Sequence, residues 1–152
     1  MTKPENKFDT KKLTKFAIDE ITKFAKEHQE ETFYGFSIDG QLLCLNSEEQ
    51  FEKKLAFYQE ELENFNTKEQ IAGLKKNPGD WQYQGFAEFE DKNGFDNKMY
   101  LKHSEGEKEY QLTSDYAQSM DKVVANLIES NVFDLLKKSH NFYANRVELN
   151  YN

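Results

Sequence analysis

Apolar residues recur along this chain in two periods, and the changes between them mark out the elements. Leu13, Phe16, Ala17, Ile21, Phe24 and Ala25 fall at helical spacing, and most of the neighbouring lysines (Lys11, Lys12, Lys15, Lys23, Lys26) lie outside that stripe. Asp9 is placed to cap this first helix, and Phe8 and Leu13 have the spacing of a hydrophobic staple. The helix is expected to end near His28. Thr32 to Ile38 and Gln41 to Leu45 then read as two strands joined by Asp39-Gly40, a hairpin whose apolar residues occur at both parities, so both faces should be covered.

Asn46-Ser47 followed by Glu48, Glu49 and Gln50 supplies a cap, acids in the first turn and a reciprocal Gln at the third helical position. Phe51, Leu55, Tyr58, Leu62 and Phe65 continue at steps of four and three, predicting one buried seam with Glu52, Gln59 and Glu63 facing outward. A short helix over 67–76 is stopped by Asn77-Pro78-Gly79-Asp80. Trp81, Tyr83, Gly85, Ala87 and Phe89 alternate with mostly polar neighbours, as in a strand that joins the hairpin. The stretch 91–110 is ambiguous between strand and helix. A long helix follows from Thr113 or Ser114, with Tyr116, Met120, Val123, Val124, Leu127 and Ile128 as its apolar face and a break near Asn131. Alternation from Arg146 to Tyr151 predicts a last strand. No repeat or linker divides the chain, so the expectation is one α+β domain over residues 1–152, a single mixed or antiparallel sheet packed by three to four helices.

Composition and charge narrow the function. Only 37% of the 152 residues are hydrophobic but 14% are aromatic, so the core should be rich in Phe and Tyr. No apolar run is long enough for a membrane helix, and the polar start lacks a secretory segment. A single cysteine, Cys44, fits a reducing compartment, and the expected location is the cytoplasm. A net charge of −8, with Arg146 the only arginine, argues against binding nucleic acid through its phosphates. Residues 31 to 65 hold eight of the acids against two lysines.

Catalytic and metal motifs are not found in the sequence. His28, His103 and His140 stand apart in no metal-binding spacing, and Cys44 sits between Leu43 and Leu45, where a buried thiol is expected. Asp91-Lys92-Asn93-Gly94-Phe95-Asp96 differs from a calcium loop, because its glycine comes two positions early and Lys102 stands where a bidentate Glu belongs. The expectation is therefore no enzyme, no cofactor and no metal. Two surface features remain. Glu48, Glu49, Glu52, Glu60, Glu61 and Glu63 make the second helix acidic outside its seam and suit it to steer a basic protein partner. Trp81 and Tyr83, with His103, are candidates for an aromatic pocket that would bind or transform a small molecule.

Three segments carry a family resemblance: Glu31 to Gly40 running into Leu43 to Glu49; Asn77 to Tyr83; and Val132-Phe133 through Val147-Glu148-Leu149. In these the chain resembles the domain of unknown function 4303 family, small and mainly bacterial proteins. The resemblance implies an α+β fold without assigned activity or catalytic residues. It also implies genes that often lie near polymorphic toxin systems, as those of SUKH-type immunity proteins do. An immunity protein needs only a surface complementary to its toxin, which would suit the acidic segment.

Overall fold

A computed structural model of the chain describes residues 8–63 and 65–147. Its frame is a four-stranded mixed sheet in the order β3-β2-β1-β4. In chain order the elements are α1 (Thr10–Glu27), β1 (Phe33–Asp39), β2 (Leu42–Ser47), α2 (Glu48–Glu61), α3 (Lys68–Lys76), β3 (Tyr83–Glu88), α4 (Asn97–Glu105), α5 (Lys108–Thr113), α6 (Asp115–Ser130) and β4 (Lys138–Arg146). Antiparallel pairing joins β1 to β2 and β2 to β3, and β4 lies parallel to β1.

Local sequence sets the helix starts. Asp9 accepts from the Lys12 amide, Ser47 from Gln50, Thr67 from Gln70 and Ser114 from Ala117, so one otherwise orphaned donor of each first turn is satisfied. The reciprocal Gln expected in α2 occurs instead in α3, where the Gln70 side chain returns to the Thr67 amide. At the end of α6, Asn131 adopts the left-handed conformation with φ 63°, the usual way to stop a helix.

The sheet is covered on both faces, as the mixed parity of the hairpin predicts. Both ladders of β1 shift register between Phe33 and Gly35. That irregularity puts Phe33 in the same cluster as Phe36 and Ile38, although it differs from them in parity. This larger cluster adds Leu43 and Leu45 from β2, then α1 and α6 through Leu13, Ile21, Met120 and Leu127. Tyr34 and Cys44 face the other way and pack with Phe51, Leu74 and Trp81 beneath α2 and α3.

Four expectations need correction. Asp39 pairs with Leu42, so the two-residue turn is Gly40-Gln41 rather than Asp39-Gly40. Gly40, at φ 63°, supplies the positive φ required at the first central position. The α2 seam is shorter than its periodicity suggests: Phe51 is buried, Leu55, Tyr58 and Phe65 are half-buried, and Leu62 is 56% exposed. The helix ends at Glu61, and of its seam only Phe51 is buried, with Leu55 and Tyr58 packed at the margin of the smaller cluster. Ile128 of α6, expected inside, is exposed. The last strand is β4, whose end only touches the expected 146–151; residues 148–151 lie outside the described residues. β4 escaped the pattern because it is an edge strand, with Lys138, His140, Asn141 and Asn145 exposed and only Phe142 and Ala144 packed toward the larger core. The ambiguous stretch is helical, forming α4 and α5 after a 3-10 turn at Asp91–Asn93.

Candidate functional site

The acids of α2 divide into two sets. Glu48, in the first turn, forms an ion pair with Lys75 at 2.9 Å, and the Lys75 ammonium also lies over the rings of Tyr34 and Phe51. Glu49 accepts from the Thr32 amide at 2.7 Å. Partial burial pushes the Glu49 carboxyl up, but the Thr32 hydrogen bonds outweigh it and hold the group below its ordinary value. These two side chains join the start of α2 to α3 and to the chain ahead of β1. Glu52, Glu60 and Glu61 on the helix are exposed, as is Glu63, which was expected on the helix but lies beyond its end at φ 49°, and no ion pair holds any of them among the described residues. Phe57 stands among them, 54% exposed. Its ring rests on Tyr58 at 5.9 Å, and Tyr58 rests on Phe65 at 5.0 Å.

The three residues of the suggested pocket occupy three separate environments. Trp81 is buried beneath α2 and α3 and its indole N–H donates to the Lys75 carbonyl at 2.8 Å. Tyr83 packs toward α1, its ring 5.0 Å from Phe24 and 4.9 Å from His28. Trp81 lies ahead of β3, at the end of a 3-10 turn over Pro78–Asp80, so the strand alternation that would have put it on one face with Tyr83 does not reach it. His103 is buried in α4 against Tyr116, with its Nδ1 2.6 Å from the Ser114 hydroxyl at the start of α6. The structure does not bring these side chains together around one space.

Two polar clusters were not legible in the sequence. In the first, Glu31 accepts from the Tyr83 hydroxyl at 2.5 Å and from the Ser47 hydroxyl at 2.7 Å, with His28 Nδ1 3.4 Å away. Burial pushes Glu31 up, but the Tyr83 and Ser47 hydrogen bonds and the attraction of His28 hold its carboxyl below the ordinary value. Burial, the hydrogen bond to Glu31 and its negative charge push the Tyr83 phenol up to about 12. The group closes the end of the sheet where α1 finishes and α2 begins.

The second cluster lies under α3. The buried Asn46 side chain donates to the Tyr34 hydroxyl at 2.9 Å and accepts from the Gln82 amide at 3.2 Å. Tyr34 donates to the Lys75 carbonyl at 2.8 Å, the same oxygen that Trp81 reaches. Beside it Gly35 is hemmed in, because an added Cβ would stand 2.9 Å from Tyr143 and 3.0 Å from Trp81. All three segments that carry the family resemblance therefore meet here, through Tyr34-Gly35 and Asn46, Trp81, and Tyr143.

The arrangement can stiffen a scaffold and present charge. Among the described residues no group of three His, Cys, Asp or Glu side chains is placed to hold a metal ion, and no helix is long and apolar enough to cross a membrane. Comparison with curated proteins and with solved structures gives no match. A family model, described as "Domain of unknown function (DUF4303)", matches residues 13–151. The resemblance carried by the three converging segments is thereby borne out across nearly the whole chain, which belongs to the DUF4303 family.

Proposed function

We propose that this chain is a non-enzymatic, cytoplasmic protein-binding module whose contact surface is the outer face of α2, and that its partner is a basic protein such as a toxin that it neutralises. The observation that carries the reading is the division of the α2 acids. Glu48 and Glu49 are used within the fold, whereas Glu52, Glu60 and Glu61 on the helix and Glu63 just past its end stand exposed and unpaired among the described residues. Unpaired carboxylates of one sign raise the local concentration of a cationic partner and speed its encounter. Occlusion of a toxin's basic surface needs no catalysis.

The test is association kinetics of the Glu52→Lys, Glu60→Lys, Glu63→Lys triple variant with basic products of genes adjacent to this one, at low and moderate salt. The variant should associate about tenfold more slowly at low salt and lose most of its salt dependence, because exposed interfacial charges act through steering. Its circular dichroism should match that of the wild type, since exposed charges add little to stability. Unchanged association at both salts would refute α2 as the contact surface, and absence of binding to every neighbouring product would refute the immunity role.

A further inference from the structure

The pairing of β4 with β1 is uneven. From Phe33 to Gly35 the central strand advances two residues, while β4 advances five, from Lys138 to Tyr143. The extra residues form a large bulge in an edge strand, and bulges bend the backbone and re-aim side chains beside functional sites. Within it the Ser139 hydroxyl is buried with no hydrogen-bond partner among the described residues, a cost that native folds rarely carry without a use.

Against the bulge lies a groove of about 330 Å³, at the small end of the range for ligand sites. Phe142 and Ala144 line it from β4, and Phe133 and the exposed Ile128 from the end of α6 and the turn that follows. Phe133, Phe142 and Ala144 belong to the larger core cluster, so the groove lies on the opposite face of the sheet from α2. Asp134 and Lys138 are the only charged side chains that line it among the described residues, and they pair at 2.6 Å. The Lys138 ammonium also stands 5.9 Å from the centre of the Phe142 ring, so the groove already accommodates an ammonium between a carboxylate and an aromatic face.

We infer that this groove binds a free α-amino acid with an apolar side chain, its ammonium on Asp134, its carboxylate on Lys138 and its side chain against Phe133, Phe142 and Ile128. The balance of charge selects this class. A cation alone would take Asp134 and leave Lys138 without its partner, and an anion alone would do the reverse. A zwitterion exchanges one ion pair for two. A neutral apolar molecule leaves the pair closed and gains only the contact of a partly exposed wall. The site is separate from the α2 surface, and neither reading depends on the other.

The test follows amide chemical shifts of the whole chain on titration with three probes: L-leucine, L-leucinamide, which lacks the carboxylate, and 4-methylpentanoate, which lacks the ammonium. L-Leucine should shift Asn131, Asp134, Lys138 and Phe142 and bind about fivefold more tightly than either analogue, the scale of one partly exposed ion pair. Asp134→Asn should reduce L-leucine to the affinity of 4-methylpentanoate, and Lys138→Gln should reduce it to that of L-leucinamide. Neither side chain is buried, so both variants should keep the wild-type circular dichroism spectrum. Equal binding of the three probes, or wild-type affinity for L-leucine in either variant, would refute recognition by the ion pair. Shifts confined to another part of the fold, or no shift with any probe, would refute the site.

Discussion

Removing the Tyr34 hydroxyl tests the buried junction where the family segments meet. The hydroxyl both donates to the Lys75 carbonyl and accepts from Asn46. In Tyr34→Phe the Lys75 carbonyl keeps a donor, because the Trp81 indole reaches the same oxygen at 2.8 Å. The Asn46 amide, in a residue only 2% exposed, loses the acceptor of that bond. Leaving a buried donor unsatisfied costs about 1–3 kcal/mol, and the ring itself still packs, so the expected loss is about 2 kcal/mol. In a domain of this length that corresponds to a melting temperature lower by about 4–8 °C. Urea denaturation followed by the fluorescence of Trp81, the single tryptophan, reads the transition at the site itself. In an Asn46→Ala background the same substitution should cost about 1 kcal/mol less, since no amide remains to be orphaned. A loss below about 0.5 kcal/mol, or strict additivity of the two changes, would refute the argument that Asn46 depends on this hydroxyl.

Two further outcomes follow from the buried and titrating groups. Burial raises the Cys44 thiol to about 12, despite a hydrogen bond from the Gly85 backbone, so the folded protein should not react with a thiol reagent at pH 8 and should react fully in denaturant; rapid labelling of the native protein would refute the burial. Glu31 is held below its ordinary value, so its stabilisation is present above the unfolded carboxylate range near pH 4.3 and fades as pH falls through the lower folded value. Glu31→Gln should therefore flatten the melting-temperature profile between about pH 5 and pH 3, and an unchanged acid slope would show that the hydrogen bonds from Tyr83 and Ser47 are not what lowers Glu31.

What the sequence made legible was what neighbours decide. The caps at Asp9, Ser47 and Ser114 and the stop at Asn131 are local, and each is where the pattern puts it. The hairpin was legible too, but its turn slipped by one residue because Asp39 and Gly40 both tolerate turns and only the cross-strand register separates them. Alternation failed wherever the backbone departs from regular strand: the shift after Phe33 and the positive φ at Gly85 each move side chains to the other face, and neither leaves a mark in hydrophobicity. The acidic helix was visible as composition, but the split between its used and unused carboxylates depends on Lys75 and the Thr32 amide. The Glu31 cluster joins positions as far apart as 52 residues, which no window of periodicity spans.

The parallel pairing of β1 with β4 also has a kinetic side. Ser37 and Asn145 share a hydrogen bond across 108 positions, whereas the β1–β2 hairpin closes over a two-residue turn. Closing the longer loop costs more chain entropy and is repaid only when β4 docks, so the hairpin with its adjoining helices should assemble first and β4 should arrive late. Until it does, the β1 edge beside Tyr34 and Phe36 stays open to pairing with another chain. Aggregation during refolding should therefore rise steeply with protein concentration and fall when β4 docking is accelerated, whatever the equilibrium stability of the finished fold.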